Sequence, residues 1–480
     1  MGFRQSGETV MVFGGGGASC SAVSVSTCNT KERVVIMFRL FQVLAVIAFL
    51  QPAWAGTFFL RPGAAGNGTS WANAWGDFGS VNWPAVSPGS TVCIAGGIYN
   101  QTLAPAASGV SGAPITVKRA LAVDTTCGSS TTGWSPAYDA QVVMNGQIQI
   151  GVNYFTVDGM VANGIQLVMN SSVNGYQGVK WTASTNYVTL RNLEIAGPNG
   201  TTAGPQNGDQ TSIYLGAWSG SVWYPQTNTT IQYVNSHGPS QNMVIENASS
   251  LLIEHCRFAD AAATNGPHAN VIQTAQSTNV TFRYNEVVNW QVEGIMFLNP
   301  SLNVANAASN WYIYGNIWHD GMAVATPAYP RVLTVQDTTQ GPFYVYNNTF
   351  VNLWIPVLTE GGSWAPGTVG RNNIYWNLVG IYCGLPDNDY DLVDTNTLSN
   401  GACPTESHLQ TVSYGSSPFV STSGQNYHLS SGTTAGLVLP APYNIDYDGH
   451  IRGADGTWDR GAYEFDARPN PPTGLSTVVH

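Results

Sequence analysis

Three lines of this sequence can be laid over one another. They are Val280-Thr281-Phe282-Arg283-Tyr284-Asn285, Trp311-Tyr312-Ile313-Tyr314-Gly315-Asn316 and Phe343-Tyr344-Val345-Tyr346-Asn347-Asn348, and a shorter echo ends at Arg371-Asn372-Asn373. Their closing asparagines, Asn285, Asn316, Asn348 and Asn373, are 31, 32 and 25 residues apart. Each line alternates apolar and polar side chains, the two-residue period of a strand. One such unit cannot bury its own apolar face, so recurrence at this spacing predicts coils stacked into a solenoid rather than a single globular sheet.

The slot recurs upstream at Phe155 to Met160, Val188 to Leu193, Thr230 to Val234 and Leu251 to Cys256. Four positions after it comes a second polar column: Asp260, Asn289, Asp320, Asn352 and Asn377. A second strand slot lies between the lines, at Asn242 to Glu246, Asn270 to Gln273, Gly294 to Phe297, Val332 to Val335 and Pro356 to Glu360. Two or three short strands per coil with Asn and Gly at the corners describe a parallel β-helix. Asn is expected at the corners because it tolerates the left-handed backbone region and bonds along a stack through its amide.

On these residues the chain resembles the right-handed parallel β-helix proteins of the pectate-lyase-like superfamily. Phe59-Leu60-Arg61-Pro62-Gly63, Gly68 to Trp75, Pro88-Gly89 and Ala95-Gly96-Gly97-Ile98-Tyr99 are similar to the opening segment of its secreted members. Asp446-Tyr447-Asp448-Gly449 and Asp459-Arg460-Gly461-Ala462-Tyr463-Glu464-Phe465 are similar to the closing segment. The resemblance spans roughly residues 57 to 465 and implies an all-β, single-stranded right-handed parallel β-helix with an N-terminal cap and an irregular C-terminal closing segment. It does not fix the reaction, because the fold carries lyases, hydrolases, epimerases and adhesins.

Four segments are expected. Residues 1–36 show no periodic pattern and read as a non-native extension ahead of a start at Met37. Residues 37–55 read as a secretory signal peptide: Met37-Phe38-Arg39, an apolar run from Leu40 to Leu50, and Ala53-Trp54-Ala55 before a cut at Gly56. The run is too short to span a bilayer. Residues 56–465 form the β-helix, with a short helix around Trp75 to Trp83 in its entry segment, regular coils from about Val142 to Tyr382 and, by the same resemblance, a last coil at Ser416 to Leu429; residues 466–480 form a loose Pro-rich tail. The protein is therefore expected to be secreted or periplasmic, and a monomer. Cysteine usage agrees with export: Cys93–Cys127 and Cys383–Cys403 are plausible disulfides, and Cys256, in the corner slot that Asn fills elsewhere, is expected to be a buried free thiol.

Charged residues are only 9% of the chain and the net charge is −11. That excludes the basic footprint of a nucleic-acid binder and makes each charge in the coils conspicuous. His268, Glu293 and Arg331 fall at equivalent starts of successive second-slot strands, about 4.8 Å apart per coil, and place a base, a carboxylate and a fixed cation within reach of one sugar. The run His268-Ala269-Asn270-Val271-Ile272-Gln273 is similar to a His-x-Asp-x-Ile-Gln motif of the superfamily, with Asn270 replacing the acid. A second group is His319 and Asp320, with Tyr329 and Arg331 on the following loop. A third is Glu246, Asp337 and Glu360 at strand ends, suited to glycosidic hydrolysis if paired or to calcium. Trp218, Trp223 and Tyr224, in an interruption of the repeat, are a candidate wall for a sugar ring.

Lysis of a uronate polymer needs a neutralised carboxylate, a base for the C5 proton and a donor to the leaving oxygen. His268 or His319 as base, Arg331 as neutraliser and Tyr329 as donor meet this. Asn270, Gln273, Asp320, Glu246, Asp337 and Glu360 join the aromatics as substrate contacts. The sequence thus favours a polysaccharide lyase with a polysaccharide partner. A hydrolase using paired carboxylates and a non-catalytic glycan binder remain open, and calcium is a possible cofactor with no metal ligand assigned.

Overall fold

A computed structural model describes residues 55–169, 175–198, 210–219, 222–263, 269–298, 307–321, 330–400 and 406–465. The expected extension, signal segment, cleavage site up to Trp54 and tail lie outside the described residues. Three long sheets of parallel strands carry the chain. The first runs from Thr57–Leu60 to Asn388–Asp389, the second from Gly97–Tyr99 to Gln410–Val412, and the third from Ile148–Ile150 to Ile355–Glu360. A coil takes one strand from each in turn, as Thr278–Arg283, Glu286–Val288 and Glu293–Phe297 do. The chain is an all-β right-handed parallel β-helix.

Register follows the stacked lines: Val280 pairs with Trp311 and Trp311 with Phe343. The inward residues Ile253, Phe282, Ile313 and Val345 form one row of the core and are all but fully buried. Each of the eight coils that the third sheet spans has three strands. The slot that the sequence reading passed over is the three-residue strand after each Asn corner, such as Ile317–His319, too short to show alternation.

The closing asparagines form a continuous amide ladder inside the stack. The backbone N–H groups of Cys256, Asn285, Asn316 and Asn348 donate to Oδ1 of Asn285, Asn316, Asn348 and Asn373, at 2.9, 2.9, 3.1 and 3.0 Å. Each Asn Nδ2 donates backwards to a first-sheet carbonyl: Asn285 to Ile253, Asn316 to Phe282, Asn348 to Ile313 and Asn373 to Val345. Cys256, the buried free thiol, extends the ladder, its Sγ accepting from Val234 N–H at 3.5 Å. Asp391 continues it at the other end, taking Asn373 N–H at 2.7 Å.

The structure corrects one expectation here. The ladder asparagines are not left-handed. The residue before each one is: His255, Tyr284, Gly315, Asn347 and Asn372 have φ between 51 and 65°. The left-handed asparagines expected at corners are those of the second polar column, where Asp260, Asn289, Asp320, Asn352 and Asn377 have φ between 49 and 57°.

Other segments differ as well. The stack begins at Thr57–Leu60, which pairs with Thr91–Ile94, well before the expected start at Val142. The cap is the insertion between those strands. It holds two 3-10 turns, Phe78–Ser80 and Trp83–Ala85, in place of one helix, and packs Phe78 and Trp83 on Tyr99 and Phe155. Cys93 and Cys127 form a disulfide. Cys383 is disulfide-bonded, and Cys403 lies outside the described residues. Ser416 to Leu429 is not a last coil but an antiparallel hairpin, Phe419–Ser421 with Asn426–Leu429. It packs with Ala462 and Tyr463 on Ile317, Val351, Ile374 and Trp376 of the second sheet.

Asn316→Leu removes the acceptor of Asn285 N–H and the donor to Phe282 carbonyl, two buried groups at about 1–3 kcal/mol each. It should lower stability to urea by about 2–6 kcal/mol, against about 1 kcal/mol for Asn352→Ala in the outer column. Equal effects would show that the ladder does not hold the coils.

Candidate functional site

The outer face of the third sheet is set by alternation. Val179, Trp181, Ile213, Leu215, Met243 and Ile245 point inward and are buried, so Lys180, Tyr214, Val244 and Glu246 point out. Register aligns Lys180 with Tyr214, Tyr214 with Val244, and Val244 with Gln273. Beside this face the hairpin of Ala217–Ser219 and Val222–Tyr224 pairs Trp218 opposite Trp223, tied back by Asn247 Nδ2 to Trp223 carbonyl at 2.8 Å. Together they enclose a cleft of about 410 Å³ lined by Gln177, Thr211, Tyr214, Trp223, Gln241, Val244, Glu246 and Gln273.

The acid in this cleft is unusual. Glu246 is only 4% exposed, and its Oε2 is buried without a hydrogen-bond partner. Burial pushes its carboxyl up to about 8. Tyr214 lies alongside, its phenol also raised, first by burial and then by the charge of Glu246. Gly216 makes the room: a Cβ there would sit 3.0 Å from Glu246 Cβ and 3.1 Å from the Tyr214 ring. An amide chain crosses the floor, with Thr211 Oγ1 donating to Gln241 Oε1 at 3.3 Å and Gln241 Nε2 to Gln273 Oε1 at 3.2 Å. The site thus combines an acid that changes charge near neutrality, a phenol, amides that can hydrogen-bond hydroxyls, an indole wall and, one strand beyond Tyr214, the ammonium of Lys180.

A second charged set lies further along the same sheet. Glu293 and Arg331 are in register as expected, and Arg331 Nη1 donates to Glu293 Oε1 at 3.1 Å and to Glu360 Oε1. The guanidinium lies over the Trp354 ring at 5.4 Å. Burial pushes Glu293 up, Arg331 pulls it down and Glu360 pushes it up again, to about 7. One shared donor puts the two carboxylates within about 6 Å of each other, two hydrogen-bond lengths.

The structure therefore joins Glu246, Gln273 and Trp223, and separately Glu293, Arg331 and Glu360. Tyr224 is half-buried on the hairpin. Asn270 is buried, with Nδ2 3.3 Å from Met296 Sδ. Asp337 is exposed on a left-handed turn, its backbone N–H donating to the Glu360 carbonyl at 3.3 Å while its side chain joins neither set. His268, Tyr329 and the Trp218 side chain lie outside the described residues. Tyr214, Gln241 and Lys180 were missed because the second strand slot was followed back only to Asn242. Two coils further, Gln177–Trp181 and Thr211–Leu215 show the same alternation.

His319 and Asp320 lie at a strand end of the second sheet, outside the third-sheet cleft, and Asp320 lines a separate cavity with Asn352, Trp376 and Gln425. His319 is buried beneath the closing hairpin, with Nδ1 2.9 Å from Asp320 Oδ2 and Nε2 3.1 Å from Glu286 Oε1, so neither nitrogen is left to take a substrate proton. Asp320 Oδ2 also accepts from Gln425 Nε2 and Tyr427 OH, and Glu286 pairs with Arg257. Burial alone would lower the His319 pKa, but the hydrogen bonds it donates to Asp320 and Glu286 outweigh it and raise it. Against burial, His319 holds Glu286 below its usual range and Asp320 at about 2. The arrangement is a charge clamp on the closing segment. Among the described residues, no group of three or more His, Cys, Asp or Glu is arranged to hold a metal ion. Among those residues, no helix is long and apolar enough to cross a membrane.

No protein-family model matches the sequence, and no curated protein matches it. Among solved structures, the chain is similar to pectate lyase Pel9A (14% identity, 86% of this chain and 98% of that one, TM-score 0.42). It is also similar to XylC in complex with xylose (9% identity, 75% and 86%, TM-score 0.46). A third is alginate lyase from Paenibacillus sp. str. FPU-7 (13% identity, 63% and 93%, TM-score 0.33). At TM-scores below 0.5 these likenesses carry no argument. Fold and site rest on the sheets and side chains of this chain.

The clamp has a definite pH window. The contribution of His319 is complete below its ordinary 6.5 and is lost as pH rises through its raised value. Those of Glu286 and Asp320 are complete above the usual carboxylate range and are lost as pH falls through their lowered values. Amide exchange of Gln425 to Leu429, corrected for intrinsic rates, should be slowest between those limits. His319→Gln should speed it throughout that window, and unchanged exchange would remove the clamp.

Proposed function

We propose that this protein is a secreted, carbohydrate-active enzyme that cleaves a polysaccharide at the third-sheet cleft, and that it does so as a lyase on a uronate-containing glycan. The observation that carries this reading is Glu246: a carboxyl poised near 8 by burial, with an unpartnered oxygen, in an open cleft between an indole and a phenol. A base works best when its pKa is near the working pH. Once deprotonated, Glu246 takes the C5 proton. The C5–H electron pair becomes the C4=C5 double bond, the C4–O bond breaks, and Tyr214, kept protonated, gives its proton to the departing oxygen. Lys180 balances the uronate carboxylate as charge builds at C5, while Gln241, Gln273 and Trp223 hold the ring. This replaces the expected donor and base with residues of the cleft. It also leaves Arg331 to its two carboxylates.

A hydrolase is favoured by one separate observation, the spacing of Glu293 and Glu360. Two carboxyls within about 6 Å, one raised, suit a retaining glycosidase. Export is supported by the Cys93–Cys127 disulfide, which persists in oxidising compartments.

The purified chain, tested on a polysaccharide panel, should produce both the ultraviolet absorbance of an unsaturated uronate and new reducing ends. Activity should climb as pH rises through about 8. Glu246→Gln should cost about 10²–10⁴-fold in kcat and Tyr214→Phe about 10²-fold, with Lys180→Ala felt mainly in KM. Reducing ends without absorbance, lost in Glu293→Gln and Glu360→Gln but kept in Glu246→Gln, would replace the lyase by the hydrolase. Retention on a glycan without cleavage would leave only a binder.

A further inference from the structure

Arg331 carries more acid than it needs. Its Nη1 serves both Glu293 and Glu360, while its Nε is buried without a partner. Glu293 is nearly buried, whereas the Glu360 side chain is 34% exposed. Glu360 is the last residue of Ile355–Glu360, the edge strand of the third sheet, paired on one side only. Burial raises Glu293 most, and the charge of Glu360 adds to it, since the two carboxylates repel each other. Of the two, Glu360 is the one free to leave.

We propose that Arg331 is a second carboxylate-binding subsite for a polyuronate, which Glu360 occupies until a substrate carboxylate displaces it. This rests on the reading of the Glu246 cleft as a uronate site and extends it along the sheet. The exchange swaps one carboxylate for another on the same guanidinium, so no charge is stranded. It also sends Glu360 to water. Trp354, whose ring already lies under the guanidinium, offers a flat face beside the incoming sugar. Register sets the distance. Lys180, Tyr214, Val244, Gln273, Met296 and Thr334 are successive neighbours across the sheet, and Thr334 shares a strand with Arg331. Five coil steps of about 4.8 Å give roughly 24 Å, the length of about five pyranose units. Arg331 would therefore be felt by oligouronates of about that length or longer and be invisible to shorter ones.

The test is calorimetric titration of size-defined oligogalacturonates and oligoalginates into the Glu246→Gln protein, where substrate is not consumed. Affinity should step up once the oligomer exceeds about five units. On the same background E360Q should strengthen binding of long oligomers about 3–10-fold and leave short ones unchanged, because the competing carboxylate is gone. R331Q should remove the step, with circular dichroism confirming that the coils persist. Short oligomers that bind with no step, or an E360Q effect equal at every length, would overturn the subsite while leaving the cleft intact. No binding of any uronate oligomer to either the Glu246→Gln or the native protein would overturn both the subsite and the lyase reading.

Discussion

Every coil of this stack must turn, and at each turn a backbone N–H and a carbonyl leave the sheet ladder inside a dry core. Orphaned there, each would cost about 1–3 kcal/mol. The run Asn285, Asn316, Asn348 and Asn373 solves this with one side chain per coil, since a primary amide both accepts from an N–H and donates to a carbonyl of the preceding coil. The solution requires an acceptor and a donor at a fixed reach. Cys256 replaces Asn with a weaker pair of contacts, and Asp391 ends the run with an acceptor alone. A constant corner keeps the three sheets in register, and register gives the outer face of the third sheet its straight rows of side chains.

The ladder explains why the fold was legible in the sequence. A residue needed once per coil for a geometric reason produces a period, and the apolar alternation beside it marks the strand. The assignment of left-handed backbone to those same asparagines failed because two asparagine columns look alike in sequence. One is chosen for its amide and sits after the left-handed residue; the other is chosen for that conformation. The closing hairpin was read as a coil because Phe419 and Tyr427 alternate as a strand does, and alternation does not report which sheet a strand joins.

The site was only partly legible. Glu293 and Arg331 met because register alone brings them together. Glu360 reached them along its strand, and Glu246 and Trp223 met because a hairpin folds beside the sheet. His319 attracted attention as a charged residue in an apolar column. The structure explains it by the neighbours Glu286 and Asp320 and by the hairpin lid, which lies more than a hundred residues away in sequence. Burial, which sets the properties of Glu246, cannot be read from a lone glutamate at a strand end.

The account depends on Glu246 being a carboxyl that changes charge near neutrality inside a sugar-binding cleft. The most direct measurement is a carbon-detected NMR titration of side-chain carboxyls, with Glu246 assigned through Glu246→Gln, without and with an oligouronate. The account predicts one glutamate titrating near 8 whose resonance and midpoint move on adding the oligouronate. A Glu246 that titrates in the ordinary carboxylate range and ignores every oligouronate would contradict it.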